Sequence, residues 1–364
     1  MNILYVSDLS GMGGGEVSLL YLMDNISEKN KVELLCRVPG TLVNECNRKS
    51  IKTFCYDFKK NLIKSLINFK KIINEEEINV VHSNELTTAI LHGIFLCIIG
   101  KKNVLNVCTC HGQWYQLSKI KKILIKRYIK HIFCVSCAVE NNLNKQGINN
   151  TSVSYLGVPA KKFNVDRKNV QELKEELGIK EKDIVVCTIA RFQKIKGQLK
   201  GIKAIKELHK EYPDINYFLV GGNVFGSEKD LKYLEEVKKY IEQNQMQKYV
   251  HLLGERKDIP EILSATDYLM ITSDNESFGM VAIEAIAAST LIVSTPCDGI
   301  KEILDNNSDM ISDTNDSEGL FKTLHNILEK EDVKIRAKAK IIELQGEFSV
   351  ETVSNKYLDI YQSR

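Results

Sequence analysis

The sequence predicts an α/β fold made of two doubly wound, Rossmann-like domains. Its 364 residues exceed one comfortable hydrophobic core, because single cores stop growing near about 250–300 residues. Short strand-like apolar runs alternate with helix-length segments, the pattern of a parallel sheet covered on both faces. The alternation occurs in two series, separated near residues 157–183. We therefore expect two domains facing each other across a cleft, with ligands bound beyond the carboxyl ends of the strands.

The first series of runs supplies the sheet of an N-terminal domain, residues 1–165. It begins just after Met1 and ends at the turn Gly157-Val158-Pro159. The predicted strands are residues 3–7, 32–38, 51–56, 78–82, 104–109, 131–135 and 153–156.

The second series supplies a C-terminal domain, residues 166–345, which a tail at residues 346–364 follows. A short helix at residues 169–177, closed by Gly178, precedes its first strand. Longer helical stretches are predicted at residues 201–212 and 229–243. The predicted strands are residues 184–190, 216–221, 250–253, 268–272 and 291–295.

Charge is unevenly distributed along the chain. Residues 1–165 contain 22 Lys and Arg against 12 Asp and Glu, whereas the remainder contains 28 against 35. A basic first half indicates an anionic partner surface, for which membrane headgroups compete with nucleic acid. The contents of 43% apolar and 27% charged residues are those of a globular protein and argue against disorder.

The sequence offers no candidate leader or membrane span. Met1 leads directly into a strand-like run without a basic segment. The longest apolar stretch, residues 89–99, contains His92 and is far shorter than the roughly 20 residues that cross a bilayer. We expect a cytoplasmic protein, at most peripheral on the inner face of the membrane.

The ten cysteines lie mostly in strand-like apolar runs, which favours buried reduced thiols in a cytosolic chain. A zinc site is the alternative, because Cys108 and Cys110 form C-x-C while Cys134 and Cys137 form C-x-x-C. These four fall at strand ends rather than in knuckle-like turns, so the thiol interpretation is preferred.

Residues 273–302 contain the most informative pattern. Glu276 lies in a polar loop, and Glu284 lies in an alanine-rich run with helical character. The helix is expected to start at Phe278-Gly279, where its amides could face an anion while the two carboxylates bind hydroxyls. This combination suits a sugar joined to a phosphate.

Two further loops could bind phosphates. The first β-turn, residues 10–16, is rich in glycine and includes Gly14 and Gly15, but it matches neither the Walker nor the dinucleotide pattern, and a plain tight turn explains it equally well. Arg191 and Lys196 follow a strand, with Gly197 opening a helix, and two cations there suit a diphosphate. A solvated loop is the competing interpretation.

His111 closes another predicted strand, just before Gly112. A histidine there could bond a sugar hydroxyl or assist proton movement. His82 follows a similar strand and competes with it, and either ring could be purely structural.

Taken together, these features resemble the retaining glycosyltransferases of family four, which have the GT-B fold. The features are the E-x7-E run, the R-x4-K pair, the glycine-rich loop, His111 and the D-G-x-x-E at residues 298–302. The resemblance extends over nearly the whole chain, and it implies that the tail crosses back to the first domain. The family usually has glycine and proline at the positions of Ser289 and Leu291, and a double glycine at Asp298-Gly299.

The resemblance implies how the donor phosphates and base are bound. Arg191 and Lys196 would hold the diphosphate of a nucleotide sugar, and Gly14 and Gly15 would lie beside the phosphates. Residues 254–259 would border the base.

It also implies the catalytic residues, His111 and Glu276. Glu276 would bind hydroxyls of the donor sugar, helped by the amides near Phe278 and Gly279, while His111 would approach that sugar from the first domain. Glu284 would bind the ribose hydroxyls.

The implied reaction transfers a hexose or N-acetylhexosamine, most often from a UDP-linked donor, with retention of configuration. The chain contains no D-x-D motif, and Arg191, Lys196 and a helix dipole could neutralise the leaving group. We therefore expect no cofactor and no metal.

A basic stretch at residues 119–131 concerns the acceptor. Lys121, Lys122, Lys126 and Arg127 accompany apolar residues at helical spacing, as in helices that lie on anionic lipid. The expected apolar stripe is Ile120, Ile123, Leu124, Tyr128 and Ile129.

Residues 59–71 offer a weaker version of the same pattern. A surface helix packed on its own sheet is the alternative. We expect a glycan acceptor that is lipid-linked or close to an anionic membrane, in surface polysaccharide or glycoconjugate synthesis, and no nucleic acid. A non-catalytic GT-B subunit, or a protein-glycosylation partner, is the competing function.

Overall fold

The computed structural model describes residues 1–112, 116–222 and 227–363. The chain divides into two compact units. The first unit comprises Met1–Val158 together with the chain from Phe348 onward, and the second comprises Pro159–Glu347. The first change of unit thus lies before the predicted boundary at 165/166, because a 3₁₀ turn at Ala160–Phe163 packs on helices of the second unit.

The first unit contains a seven-stranded sheet in the order β3-β2-β1-β4-β5-β6-β7. Every neighbouring pair of these strands is parallel. The strands are β1 (Asn2–Ser7), β2 (Lys31–Cys36), β3 (Lys52–Cys55), β4 (Val80–Ser83), β5 (Leu105–Cys110), β6 (His131–Cys134) and β7 (Thr151–Val153).

The seventh strand exists, but the predicted bounds, residues 153–156, lie too far along the chain. The strand that pairs with β6 ends at Val153, and the apolar residues after it leave the sheet. Val158 instead donates its backbone N–H to the carbonyl of Phe348 at 2.9 Å. The chain therefore reaches the second unit beside the segment that returns from it.

Helices cover both faces of the first sheet, which explains its almost continuous apolar strands. The C-terminal helix, Val350–Gln362, packs on the same face as the first two helices, and the next two helices cover the opposite face. The remaining helices of this unit are α1 (Gly14–Ser27), α2 (Thr41–Arg48), α3 (Leu62–Glu75), α4 (Leu86–Ile98), α5 (Lys119–Tyr128) and α6 (Cys137–Lys145).

The second unit contains a five-stranded sheet in the order β10-β9-β8-β11-β12, again parallel. Its strands agree with the predicted series to within one or two residues at each end. They are β8 (Ile184–Ile189), β9 (Ile215–Val220), β10 (Val250–Gly254), β11 (Tyr268–Ile271) and β12 (Leu291–Ser294).

The helices of the second unit lie between and after these strands. A second 3₁₀ turn, Lys194–Lys196, precedes one of them. The helices are α7 (Arg167–Glu176), α8 (Gln198–Leu208), α9 (Glu228–Gln243), α10 (Ile259–Ser264), α11 (Met280–Ala287), α12 (Asp298–Ile303), α13 (Ser317–Glu329) and α14 (Glu331–Leu344).

Each sheet has one point where the strand order reverses. In the first sheet it lies between β1 and β4, and in the second between β8 and β11. Loops that leave such neighbouring strands at their carboxyl ends diverge to opposite faces and leave a crevice in which ligands bind. The loops after these four strands are therefore the places where a site is expected.

Candidate functional site

Hydrogen bonds join the loops after β8 and β11, which border the crevice of the second unit. The backbone N–H of Asp274 donates to the carbonyl of Ile195 at 2.7 Å, and the hydroxyl of Thr272 donates to the carbonyl of Lys196 at 2.6 Å. Gly197, at φ +64°, lies so close that an added Cβ would be 2.2 Å from the carbonyl oxygen of Thr272. Glycine is required here, and these contacts hold the two loops together.

This junction joins the two sequence motifs through an ion pair. Nζ of Lys196 lies 2.5 Å from Oε1 of Glu276, and both side chains are mostly buried, at 21% and 16% exposure. The hydroxyl of Ser273 donates to the same carboxylate oxygen at 2.7 Å. A cation and a hydroxyl thus hold Glu276 at the mouth of the crevice.

Arg191 lies at the start of the same β8 loop, with its side chain partly buried. Its carbonyl accepts a 2.8 Å bond from Nε2 of Gln198, and the next residue, Phe192, is buried and bonds to the carbonyl of Gly222 at 3.2 Å. These bonds anchor the loop at Arg191 and at the residue after it.

Helix α11 begins directly after the Glu276 loop, as predicted. Gly279 caps it at φ +117°, a conformation that favours glycine, and Phe278 is buried. Gly299 packs against this turn: an added Cβ would lie 2.5 Å from the carbonyl oxygen and 2.6 Å from the nitrogen of Phe278. The Asp298-Gly299 pair thus keeps the glycine that close packing needs.

Glu284 lies further along α11 and is partly buried. Loss of hydration raises the pKa of its carboxyl to about 7, and the cation of Lys162 in the 3₁₀ turn opposes this rise. Such a carboxyl is poised between its neutral and charged forms, and accepting two hydroxyl hydrogen bonds would favour the charged form.

Residues 254–259, predicted to border a base, are held in the second unit by ion pairs and a backbone hydrogen bond. Arg256 bridges two carboxylates, at 2.7 Å to Glu176 and 2.6 Å to Asp258. The backbone N–H of Gly221 donates to the carbonyl of Gly254 at 2.8 Å. The segment is held beside the loop after β9.

The crevice of the first unit brings together Gly15, Asn84 and His111. Ring atoms of His111 would lie 3.5 Å from a Cβ added to Gly15, and its Nε2 is 2.8 Å from Oδ1 of Asn84. Because that oxygen accepts, Nε2 carries the proton, and Nδ1 of the neutral ring is an acceptor. Burial lowers the pKa of His111 to about 4, so the ring is neutral at physiological pH.

Asn84 was not among the predicted site residues. Its signal was present, since it is the first polar residue after β4, the neighbour of β1 at the reversal point. Gly14, in contrast to Gly15, is exposed at the start of α1. Its neighbour Gly13 donates its N–H to Oε2 of Glu16 at 3.1 Å, which caps that helix.

His82, the competing histidine, is structural. It is completely buried, with Nδ1 bonded to the hydroxyl of Tyr361 and Nε2 2.8 Å from the hydroxyl of Thr109. Its ring stacks with Phe133 and Tyr357. It therefore ties the C-terminal helix to the sheet, and burial lowers its pKa to about 3.

The four cysteines weighed as zinc ligands do not form a ligand set. Cys108, Cys110 and Cys134 are buried in β5 and β6, whereas Cys137 is exposed at the start of α6. Across residues 1–112, 116–222 and 227–363, no three His, Cys, Asp or Glu side chains are grouped as metal ligands.

Helix α5 confirms the predicted helix but not its apolar stripe. Ile120 and Ile123 are exposed, at 71% and 63%, whereas Ile125 and Ile129 are buried. The prediction assigned Ile129 to the outer stripe, but it follows the helix as its cap and packs inward. Among the basic residues, Lys126 and Arg127 are exposed and Lys121 and Lys122 are half-buried.

Helix α3 repeats this arrangement, with Leu62, Ile63 and Ile67 exposed. Helices of parallel α/β units start at the carboxyl edge of the sheet, so the first turns of α3 and α5 lie at the same edge as Gly15 and His111. We call the exposed apolar residues of these two helices, with the lysines beside them, the basic-apolar surface. No helix in the described part of the chain is long and apolar enough to cross a bilayer.

Comparison with known families gives two matches that follow one another along the chain. Residues 12–162 match the model of glycosyltransferase family 4, and residues 169–343 match that of glycosyl transferases group 1. The division between them falls close to that between the two units.

Two curated relatives extend over most of the chain. The Escherichia coli UDP-Gal:alpha-D-GlcNAc-diphosphoundecaprenol alpha-1,3-galactosyltransferase is 24% identical over 374 residues, covering 97% of this chain and 94% of that protein. The Acholeplasma laidlawii alpha-monoglucosyldiacylglycerol synthase is 22% identical over 305 residues, covering 75% of this chain and 71% of that protein.

Among solved structures, Anabaena HepE in complex with UDP has a TM-score of 0.87 and 19% identity, with 100% of both chains covered. The same protein with UDP-glucose has a TM-score of 0.85, at the same identity and coverage. At this identity the likeness shows the fold.

Proposed function

Because the chain belongs to the glycosyltransferases of family four and has their GT-B fold, we propose that it transfers a hexose or N-acetylhexosamine from a UDP-linked donor with retention of configuration. The acceptor is a glycan carried on, or close to, a membrane, in surface polysaccharide or glycoconjugate synthesis. The observation that carries the proposal is the Lys196–Glu276 pair, which joins the R-x4-K and E-x7-E motifs at one crevice.

In this proposal the second unit binds the donor. Lys196 turns from Glu276 to the diphosphate, and Arg191 supplies a second cation from the same loop. Glu276, released from the ion pair, accepts hydroxyls of the sugar, while the amides at Phe278 and Gly279 face the phosphate. Glu284 binds the ribose hydroxyls as a carboxylate.

These groups neutralise the leaving diphosphate without a metal ion. Two cations and the start of α11 supply positive charge where it is needed, and charge-assisted hydrogen bonds of this kind each contribute about 1.5–3 kcal/mol. The absence of a D-x-D motif from the sequence agrees with this arrangement.

Retention follows if the acceptor attacks the face from which the diphosphate leaves. The acceptor oxygen bonds to the anomeric carbon as the bond from that carbon to the diphosphate oxygen breaks. The acceptor proton passes to the departing oxygen, so no protein base is required. Neutral His111, oriented by Asn84, accepts a hydrogen bond from the sugar through Nδ1.

Support for the donor base and acceptor class comes from two sources. HepE is described with UDP and UDP-glucose, and the E. coli relative carries a diphosphoundecaprenol acceptor in its name. The basic-apolar surface fits a peripheral position on anionic lipid, since exposed isoleucines can enter the headgroup region while lysines pair with phosphates.

A donor panel tests the enzymatic proposal. Purified protein is incubated with UDP-, GDP- and ADP-sugars, with and without EDTA, and slow donor hydrolysis is measured. We expect hydrolysis of a UDP-sugar, unchanged by EDTA and abolished in Glu276→Ala and Lys196→Ala. Absence of turnover together with no nucleotide-induced melting shift would favour a non-catalytic GT-B subunit.

Vesicle sedimentation tests the membrane position. We expect binding to anionic vesicles at low salt that weakens when Lys121, Lys122 and Lys126 are replaced by Glu. The matched control reverses Lys232, Lys238 and Lys239 on α9 of the second unit, which changes the net charge equally. Equal loss in both triple variants would contradict a specific surface.

A further inference from the structure

The carboxyl edge of the first sheet carries charged residues on three consecutive strands. Asp8 follows β1, Arg37 follows β2, and Asp57 and Lys59 follow β3. These strands are neighbours in the order β3-β2-β1, so the four side chains form one line beside the glycine-rich loop. We call them the strand-edge cluster.

The cluster is connected through Asp8. Nε of Arg37 lies 2.5 Å from one carboxylate oxygen of Asp8, and Nζ of Lys59 lies 2.5 Å from the other. Two cations thus share one carboxylate. Asp57, whose Oδ1 accepts from the backbone N–H of Lys59 at 3.0 Å, is the second acid.

The terminal N–H groups of the Arg37 guanidinium are available to bind a ligand. Its Nη1 lies 3.6 Å from Oδ2 of Asp57, beyond normal hydrogen-bond length. Neither Nη1 nor Nη2 donates a hydrogen bond to any residue within the described ranges. The two terminal nitrogens of a guanidinium can donate to two oxygens of one phosphate. The single long contact to Asp57 does not satisfy these donors.

The edge leads from the glycine-rich loop to the basic-apolar surface. Ser10 of that loop bonds to the carbonyl of Pro39 at 3.1 Å, which fixes the loop beside Arg37. At the other end, exposed Lys60 follows Lys59, and α3 begins with Leu62 and Ile63, which are 54% and 76% exposed. Polar, cationic and apolar groups therefore succeed one another along one edge.

We propose that the strand-edge cluster is the acceptor subsite and binds the diphosphate of a lipid-linked sugar. The phosphates lie on the fork of Arg37 and on Lys59, the sugar lies toward Asp8 and the glycine-rich loop, and the lipid leaves past Leu62 and Ile63. This inference rests on the proposed function, which requires the first unit to bind the acceptor.

The subsite recognises phosphate charge rather than a particular sugar. Arg37 and Lys59 each have enough N–H donors to bind Asp8 and a phosphate at the same time. Asp8 therefore stays in place and can still accept a hydrogen bond from a sugar hydroxyl. A glycoside without phosphate would leave the guanidinium fork unsatisfied, so it should bind more weakly.

Isothermal titration calorimetry on the full chain, with UDP present, tests the proposal. The probes are decyl diphosphate glycosides of glucose, galactose and N-acetylglucosamine, the matching decyl glycosides without diphosphate, and inorganic diphosphate, all below micelle formation. We expect one or more diphosphate glycosides to bind at least about tenfold more tightly than the phosphate-free glycosides. Inorganic diphosphate alone, lacking sugar and chain, should bind more weakly than the diphosphate glycosides.

Variants assign that preference to the cluster. Arg37→Gln and Lys59→Gln should each reduce the preference for the diphosphate glycoside by about fivefold to tenfold, and Arg37→Lys should retain part of it. The control is Lys102→Gln, an exposed lysine between α4 and β5 at the opposite edge of the sheet, which should have no effect. Thermal melting identifies any variant that fails to fold. If Arg37→Gln does not fold, Arg37→Lys replaces it in the comparison.

Equal affinity for glycosides with and without diphosphate would overturn the subsite, as would an undiminished preference in both Gln variants. Absence of binding by a chain that hydrolyses a UDP-sugar would overturn it too. If donor hydrolysis fails while the diphosphate preference depends on Arg37 and Lys59, the anion site stands and the proposed function does not.

Discussion

The side-chain contacts in the two crevices differ in charge. In the second unit a cation and a carboxylate, Lys196 and Glu276, join the loops after β8 and β11. In the first unit a neutral ring and an amide, His111 and Asn84, join the loops after β4 and β5. An anionic ligand can replace the carboxylate as the partner of the lysine, whereas a neutral hydrogen bond fixes the orientation of the histidine ring. The second crevice is therefore suited to binding charge, and the first to positioning a polar group.

The largest effect is expected from breaking the ion pair. Lys196→Met and Glu276→Gln should each lower the rate of donor hydrolysis by about 10²–10³, and the double variant should lose roughly the product of the two factors, because the donor separates the pair and each side chain then binds a different part of it. Steady-state kinetics with a UDP-sugar measures the cycle. Lys200→Met, which removes the neighbouring pair with Asp274, is the control and should stay within about threefold. A double variant little worse than the poorer single variant would contradict separate roles for Lys196 and Glu276.

The next effect concerns the backbone under the charged crevice. Gly299→Ala should displace Phe278, lowering donor hydrolysis by about tenfold or more and the free energy of unfolding by about 1–3 kcal/mol. Gly178→Ala is the matched control, since Gly178 has φ +69° and no atom within 4 Å of an added Cβ. It should cost stability through strain alone, with hydrolysis unchanged, as urea unfolding and kinetics would show. Similar activity in both variants would contradict a role for Gly299 in positioning the Phe278 turn.

A smaller effect should appear as pH dependence in the second unit. The pKa of Glu284 is raised to about 7, so the free protein holds a proton there below neutrality. If the ribose hydroxyls bind the carboxylate, binding releases that proton, and affinity should fall by up to about tenfold per pH unit below 7. UDP-glucose is the suitable ligand because its phosphates do not titrate in this range. Calorimetry should show a flat profile for Glu284→Gln; a profile unchanged by that substitution would contradict the assignment.

The smallest effect is expected in the neutral crevice. With a pKa of about 4, His111 stays neutral at every pH above roughly 5, so it should add no step to the activity profile between pH 6 and 8. Asn84→Ala should lower turnover by about threefold to tenfold while UDP affinity is unchanged, because it frees the ring to rotate. Asn84→Asp is the sharper probe, since a carboxylate favours the imidazolium, raises the pKa of His111 and should introduce a step toward pH 6. A wild-type step that disappears in His111→Asn would contradict a neutral role.

Much of this architecture could be predicted from local patterns. Strand-like runs with period-two or continuous apolar residues located the sheets, and the R-x4-K and E-x7-E spacings located the loops that meet at Lys196 and Glu276. The prediction failed where local signals agree with more than one outcome. Residues 153–156 look like a strand, yet the register with β6 ends at Val153. Ile129 continues the apolar period of α5, yet it lies beyond the helix and is buried.

The fold class and the residue types of the proposed donor site follow from the sequence alone, because strand period, helix period and motif spacing are properties of neighbours along the chain. Which of the two histidines lies beside a crevice depends on the tertiary structure. His82 and His111 both follow strands, but the C-terminal helix buries the first under Tyr361, more than two hundred residues away in sequence, whereas Asn84 orients the second. The strand-edge cluster has the same origin, since Asp8, Arg37 and Lys59 meet only because β1, β2 and β3 are neighbours in the sheet. Contacts of this kind depend on strand order, which no local pattern encodes.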